Sequence, residues 1–278
     1  MPRAIWKGTI SFGLVTIPVE LHSATAKNEI AFHLLDSRDM APVRNMRVNS
    51  VTGEEVPWES IVKGHELADG RWVTMTDEDF VAANVRAART IDVLGAVCEE
   101  DVGDEYFDTP YYLAPEQTGR RAYALLREAL RSAKRVAIGQ IVIRSRQRLC
   151  ALTPHGDALM LLVMRYAHEL RSAEGLELPG ADLAALGVTE AEQSLAGQLV
   201  AVIQTDWDPA RYRDLYRDDI LALLKRKAEG ATIAVPEEPE PPGAEVIDIM
   251  DLLKRSIEDA RSAGQGGGTG GQREQATG

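Results

Sequence analysis

Apolar and polar residues alternate through residues 3–25, a pattern typical of β-strands. Two sets of apolar residues each fall on one face of an extended chain: Ile10, Phe12 and Leu14, and then Ile17, Val19 and Leu21. A one-residue slip near Val15 and Thr16 separates the two sets. A slip of this kind predicts a β-bulge or a bend, which curls a sheet toward a barrel.

Strand patterns with turn signals continue to about Val188. Residues 51–54 and 68–71 place glycine where hairpin turns require it. Three later segments are predicted strands, the last of them entered through a Pro-His-Gly-Asp turn: residues 136–143, 149–153 and 158–164. Together these strands predict a meander, which suits a closed barrel.

Helical signals occur in five segments: residues 76 onward, 119–135, 190–203, 209–227 and 246–261. Thr189 and Glu192 form a capping box before an apolar stripe that needs a partner, so this helix is predicted to be a dimer arm. Asp208, followed by proline, predicts the start of the next helix, which places Tyr212 and Tyr216 on one side.

These patterns predict three regions. Residues 1–188 form a β-barrel core, and residues 189–232 form a C-terminal helical region. Residues 233–278 contain a linker rich in proline and glutamate, a short amphipathic helix and a glycine-rich flexible tail.

Charge is unevenly distributed along the chain of 278 residues, whose net charge is −12. Taken alone, a negative net charge argues against binding to nucleic acid. However, residues 120–148 contain nine basic residues and one acidic residue, whereas residues 92–116 contain eight acidic residues and no Lys or Arg. The protein can therefore present a basic surface to phosphate while the rest of its exterior is acidic.

Several classes of protein are not indicated. Cys98 and Cys150 lack Cys-x-x-Cys spacing, and the five histidines are scattered, so no disulfide, metal or other cofactor is predicted. No secretory signal is visible, and the longest apolar run, Ala158 to Met164, is too short to span a bilayer. We therefore expect a soluble intracellular protein. Nucleophile-elbow, His-Glu-x-x-His and Walker motifs are not found, so we expect that the protein is not an enzyme.

Four sequence blocks, in order, resemble bacterial Ku, the DNA-end-binding protein of non-homologous end joining. They are SFGLVTIPV at residues 11–19, YYL at 111–113 with the RAYALLREAL helix after it, RLCAL at 148–152, and YRDLY at 212–216 leading to Lys227. Many family members carry a Cys-x-x-Cys pair just after the position of Arg47. This chain has Val48 to Gly53 there, so it cannot bind zinc through such a pair.

The resemblance implies an α+β fold, mainly β: a Ku-type β-barrel core with an arching bridge insertion, followed by a C-terminal helical arm and flexible tail. It further implies a homodimer that encloses double-stranded DNA ends without reading sequence. The expected partner is the multidomain ATP-dependent DNA ligase of bacterial end joining, and the expected location is cytoplasmic and nucleoid-associated. A protein-interaction scaffold that does not bind DNA is the alternative, but it leaves the basic stretch unexplained.

The candidate DNA-binding residues are Arg3, Lys7, Arg44, Arg47, Lys63, Arg71, Arg144, Arg146 and Arg148. The period-2 spacing of the last three places them on one face of a strand or at the tip of a hairpin. Protection of an edge strand by charge is an alternative role for them, and simple solvation explains Arg3 and Lys7 equally well.

The candidate ligase-docking residues are Tyr212, Arg213, Tyr216 and Arg217. Tyrosines spaced by four residues on a helix are also typical of a core. The sequence leaves both roles open.

Overall fold

The computed structural model describes residues 3–26, 28–83, 89–144, 146–230 and 249–266. The chain divides into two compact units, residues 1–173 and 174–278. The strands are β1 (Trp6–Phe12), β2 (Val15–Ser23), β3 (Lys63–Glu66), β4 (Trp72–Met75), β5 (Thr90–Cys98), β6 (Phe107–Pro115), β7 (Arg135–Ile143), β8 (Arg146–His155) and β9 (Ala158–Met164). The helices are α1 (Asp77–Ala83), α2 (Arg120–Ala133), α3 (Glu190–Ile203), α4 (Leu215–Ala228) and α5 (Ile249–Gly266).

Seven of these strands form a closed barrel in the order β1-β2-β6-β9-β8-β7-β5. Neighbouring strands are antiparallel except β1 and β5, which are parallel. The inward side chains form the core; Ile17, Val19 and Leu21 are almost fully buried in it. The predicted α+β, mainly β fold with a barrel core is confirmed.

The predicted bulge near Val15 and Thr16 is wrong. Phe12 pairs with Val15, so β1 and β2 are joined by a two-residue hairpin turn at Gly13 and Leu14. Gly13 adopts a positive φ of 59°, which glycine tolerates and tight hairpin turns require. The register slip in the sequence therefore marks a reversal of the chain rather than a bend within one strand.

Helix α2 packs on the barrel through Tyr123, Leu126 and Leu130. The Tyr123 hydroxyl donates a hydrogen bond to the Leu113 carbonyl (2.6 Å) and accepts one from the Leu159 backbone N–H (2.5 Å). Burial raises the pKa of Tyr123, so the ring remains a neutral link between α2, β6 and β9. The helix predicted over residues 119–135 is confirmed as α2.

Residues 24–89, the insertion, connect β2 to β5. Both predicted hairpin turns are present: one around Gly53, beside the Val48–Glu55 bridge, and one around Gly70, between β3 and β4. Thr76 and Asp79 exchange hydrogen bonds at the start of α1, as the helix signal predicted. None of the described side chains of the insertion is fully buried. The described part of the insertion therefore has no core of its own.

In the second unit, the Thr189–Glu192 capping box of α3 is confirmed, with reciprocal bonds of 2.6 and 3.3 Å. Helix α3 packs against α5, whose Ile257 is buried. The apolar stripe of α3 is thus partly covered within the chain, and by itself it does not call for a second subunit.

The predicted continuous helix over residues 209–227 is wrong. A 3-10 turn at Pro209–Arg211 comes first, and α4 begins only at Leu215. The Asp208 carboxylate accepts from the Ala210 N–H, whereas the Asp214 carboxylate accepts from the Arg217 N–H and starts a new helix. Tyr212 therefore lies before the helix that contains Tyr216.

The predicted C-terminal amphipathic helix is present as α5. Residues 264–266, predicted as tail, continue this helix, while the predicted linker and the rest of the tail lie outside the described residues. The division into regions 1–188, 189–232 and 233–278 stays a prediction. In the described part of the chain, no helix combines the length and apolar character needed to cross a membrane.

Candidate nucleic-acid interface

Strand directions place the insertion and the β7–β8 turn at the same end of the barrel. The insertion leaves at the end of β2 and returns at the start of β5. Because β5 and β7 are antiparallel, with Ile91 opposite Ile141, the start of β5 lies beside the end of β7. We call this the insertion end. The opposite end carries α2 and the β8–β9 turn.

The β7–β8 turn is a hairpin tip, one of the two arrangements that the arginine spacing predicted. Ile143 pairs with Arg146, so the chain reverses between these two residues. Arg144 is exposed and has a positive φ of 50°. Strand β8 pairs with both β7 and β9, so it is not an edge strand, and the edge-protection interpretation is wrong.

Arg146 and Arg148 share one face of β8, and both interact with the Glu169 carboxylate. An Arg146 guanidinium nitrogen lies 3.2 Å from Glu169 Oε1. The hydrogen bond from the Tyr166 backbone N–H is the largest influence lowering the pKa of Glu169. Charge interactions with Arg146, His168 and Arg148 also lower the pKa of this carboxyl group. Glu169 is therefore an anion within a cationic cluster.

Arg3 and Lys7 lie just before and at the start of β1, and both are exposed. Lys7 forms an ion pair with Glu20 of β2, which raises the pKa of Lys7 and lowers that of Glu20. The Lys7 ammonium group is therefore both exposed to solvent and paired with a carboxylate.

The four candidate cations of the insertion are all exposed: Arg44, Arg47, Lys63 and Arg71. Three of them contact other side chains of the insertion. The Arg47 guanidinium lies 4.4 Å from the Trp58 ring centroid, the Lys63 ammonium 2.9 Å from an Asp77 oxygen, and the Arg71 Nε 2.7 Å from an Asp69 oxygen.

The fold divides the basic stretch that the sequence showed as one block. The arginines at positions 144, 146 and 148 lie at the insertion end, whereas the other six basic residues lie on or beside α2: Arg120, Arg121, Arg127, Arg131, Lys134 and Arg135. Arg127 and Arg131 donate to the backbone carbonyls of the β8–β9 turn. Part of the basic stretch therefore joins α2 to the β8–β9 turn.

Tyr212 and Tyr216 are 62% and 76% exposed, so the interpretation of these rings as core is wrong. The Trp207 indole stacks on Tyr212 with centroids 5.2 Å apart. Sequence reasoning missed Trp207, although a tryptophan five residues before Tyr212 is a usable signal. Arg213 pairs with Asp218 at 2.7 Å, and the backbone N–H of Arg217 caps α4.

Within the described ranges, no group of three or more His, Cys, Asp or Glu side chains is arranged to hold a metal ion. Burial raises the pKa of the Cys150 thiol to about 12, so it remains protonated, and Cys98 is half-buried.

These features define a class of protein: a β-barrel with a long coreless insertion and a cationic end. The family model described as the Ku70/Ku80 beta-barrel domain matches residues 11–194. The chain belongs to the Ku family, so the resemblance seen in the sequence is confirmed.

The curated relatives include the "Non-homologous end joining protein Ku" of three bacteria. That of Pseudomonas aeruginosa is 43% identical over 277 residues, which cover 97% of this chain and 92% of the relative. That of Coxiella burnetii is 42% identical, with 92% and 94% covered, and that of Cupriavidus necator is 45% identical, with 92% and 78% covered. A solved SPOC domain of human PHD-finger protein 3 aligns with a TM-score of 0.31 at 12% identity, and the alignment covers 61% of this chain and 100% of that domain. We draw no conclusion from a similarity this low.

Proposed function

We propose that this protein is a homodimeric ring that binds double-stranded DNA ends without sequence specificity and recruits the multidomain ATP-dependent ligase of non-homologous end joining. It acts in the cytoplasm in association with the nucleoid. Catalytic residues and cofactors have no part in this proposal, because holding DNA requires phosphate-facing cations rather than an acid, a base or a nucleophile.

The observation that carries the DNA-binding proposal is the shared position of the insertion and the arginine-rich β7–β8 turn at one barrel end. DNA held by the insertion would lie beside these arginines. The φ of Arg144 is 50°, a conformation that costs a non-glycine residue roughly 1 kcal/mol. Glycine would relieve that cost at an exposed turn, so an arginine here favours a functional role over a stabilising one.

The homodimer proposal rests on the insertion. Several of its large apolar side chains are between 63% and 70% exposed: Phe32, Leu34, Met40, Met46, Trp58, Val62 and Trp72. Exposed apolar surface on this scale is typical of a protein interface. A second copy of the chain would bury these residues through a two-fold interface and close the ring.

We expect the protein to shift the mobility of linear duplex DNA and to leave a closed circular plasmid of the same sequence largely unbound. A ring must thread onto an end, and a closed circle offers none. The measurement is a mobility-shift titration of both DNAs, with the plasmid cut once as the matched control. Equal affinity for closed and cut plasmid would contradict threading, and binding to neither would favour the scaffold alternative.

We expect the protein to be a dimer in solution, because a monomer would leave the insertion without a core. Light scattering coupled to gel filtration should report twice the chain mass of 30.4 kDa at micromolar concentration. The double variant W58A/W72A should shift this mass toward the monomer while the barrel remains folded. A wild-type mass of one chain would contradict the dimer.

A further inference from the structure

Glu169 is fixed in place rather than free on the surface. One carboxylate oxygen, Oε2, accepts from the Tyr166 backbone N–H at 2.8 Å, and the other, Oε1, accepts from Arg146 at 3.2 Å. The Tyr166 ring stacks on His168, with centroids 5.6 Å apart and planes 12° apart. These contacts hold the carboxylate at the insertion end, directly against the cationic turn.

The segment that carries Glu169 is itself anchored to the barrel. Arg165, the residue after β9, donates to the carbonyls of Glu105 (3.0 Å) and Phe107 (2.5 Å) and pairs with Asp108 at 3.0 Å. The position of the Glu169 carboxylate is therefore set by the fold and does not depend on Arg146 alone.

The Glu169 carboxylate, fixed beside Arg146, opposes the binding of phosphate to that arginine. A phosphate oxygen and a carboxylate oxygen compete for the same guanidinium N–H groups, and the two anions repel each other when both are near. Among the described residues, Arg144 and Arg148 form no ion pair of this kind, and Glu169 interacts with Arg148 through charge alone. Their guanidinium N–H groups are therefore less occupied by a carboxylate than those of Arg146.

We propose that Glu169 limits the affinity of the site for DNA by holding Arg146 away from phosphate. This inference rests on the proposed DNA-binding function. Glu169 is thus a positioning residue that acts through Arg146, and its effect on affinity is negative. The affinity for DNA is then lower than the cations alone would give. A lower affinity lets a ring move along the duplex after it has threaded.

The test is the charge-neutral variant E169Q, titrated with the same linear duplex. Glutamine can still accept the Tyr166 N–H, so the turn should survive. We expect affinity to rise about three- to tenfold, since one nearby negative charge is removed. The log-log dependence on salt should become steeper by about 0.9, because Arg146 then neutralises one more phosphate.

The matched control is D157N, which makes the same change in net charge at the β8–β9 turn of the opposite barrel end. It should leave affinity and salt dependence nearly unchanged. An equal gain in affinity in both variants would show that the effect comes from net charge alone, and it would overturn the proposal. A folded E169Q that binds more weakly would overturn it too, because Glu169 would then orient Arg146 toward DNA.

Single arginine variants test the same idea without altering Glu169. We expect R146A to weaken binding less than R148A, and to abolish most of the gain when combined with E169Q. Equal losses in R146A and R148A would show that Arg146 already meets phosphate, and the proposal would be wrong even if E169Q failed to fold. Wild-type protein that binds no linear duplex would overturn the proposed function and this inference together.

Discussion

Reversing the charge of all three arginines of the β7–β8 turn, in R144E/R146E/R148E, should weaken binding to linear duplex by about a hundredfold or more. At Arg144 and Arg148 the substitution replaces attraction to phosphate by repulsion, and at Arg146, which Glu169 restrains, it adds a negative charge near the DNA; each change costs about 1 kcal/mol or more near a protein surface. The log-log salt dependence should become shallower by roughly 2, because two phosphate contacts, those of Arg144 and Arg148, are lost. The variant should fold, since Arg144 and Arg146 are exposed and Arg148 is only half-buried.

The control for this experiment is R120E/R121E/K134E on and beside α2. It changes the net charge by the same amount at the opposite end of the barrel. We expect a much smaller loss of affinity, because long-range charge is screened over about 10 Å at 0.1 M salt. Equal losses in the two triple variants would place the DNA elsewhere or make the effect one of overall charge. Thermal melts of both variants precede the titrations.

The sequence predicted those parts of the fold that rest on local rules. Strand alternation at Ile17, Val19 and Leu21, the glycine turns of the insertion and the capping box at Thr189 each depend on neighbours a few residues away. The helix boundary at Leu215 was missed because two aspartates, each able to cap, lie six residues apart, and the pattern does not say which one starts the longer helix.

The rest could not be predicted because it depends on contacts distant in sequence. Tyr123 bonds to backbone groups of β6 and β9, and no periodicity reveals those partners. Glu169 meets Arg146 from 23 positions away, although it reads as an ordinary surface acid. The basic stretch gave a correct local charge, but only the strand directions show that the barrel separates its arginines into two ends.

Replacing both tyrosines of the second unit, in Y212A/Y216A, should leave DNA-end binding intact and reduce stimulation of the ligase. Both rings are largely exposed, so their loss creates no cavity and should change the melting temperature little. Exposed aromatic side chains that anchor an interface typically contribute about 2 kcal/mol or more each when truncated. We therefore expect at least about a tenfold loss of ligase affinity.

Trp207 sharpens this prediction, because its indole already stacks on Tyr212 and forms a preordered aromatic pair beside α4. W207A should then weaken ligase binding to a similar degree as Y212A, and the double variant should lose less than the sum, since the rings act together. The matched control is L125A, which truncates an equally exposed apolar side chain on α2 of the barrel and should leave ligase binding unchanged. A folded Y212A/Y216A protein that binds the ligase like wild type would exclude the docking role, and the docking surface would have to be sought outside these rings.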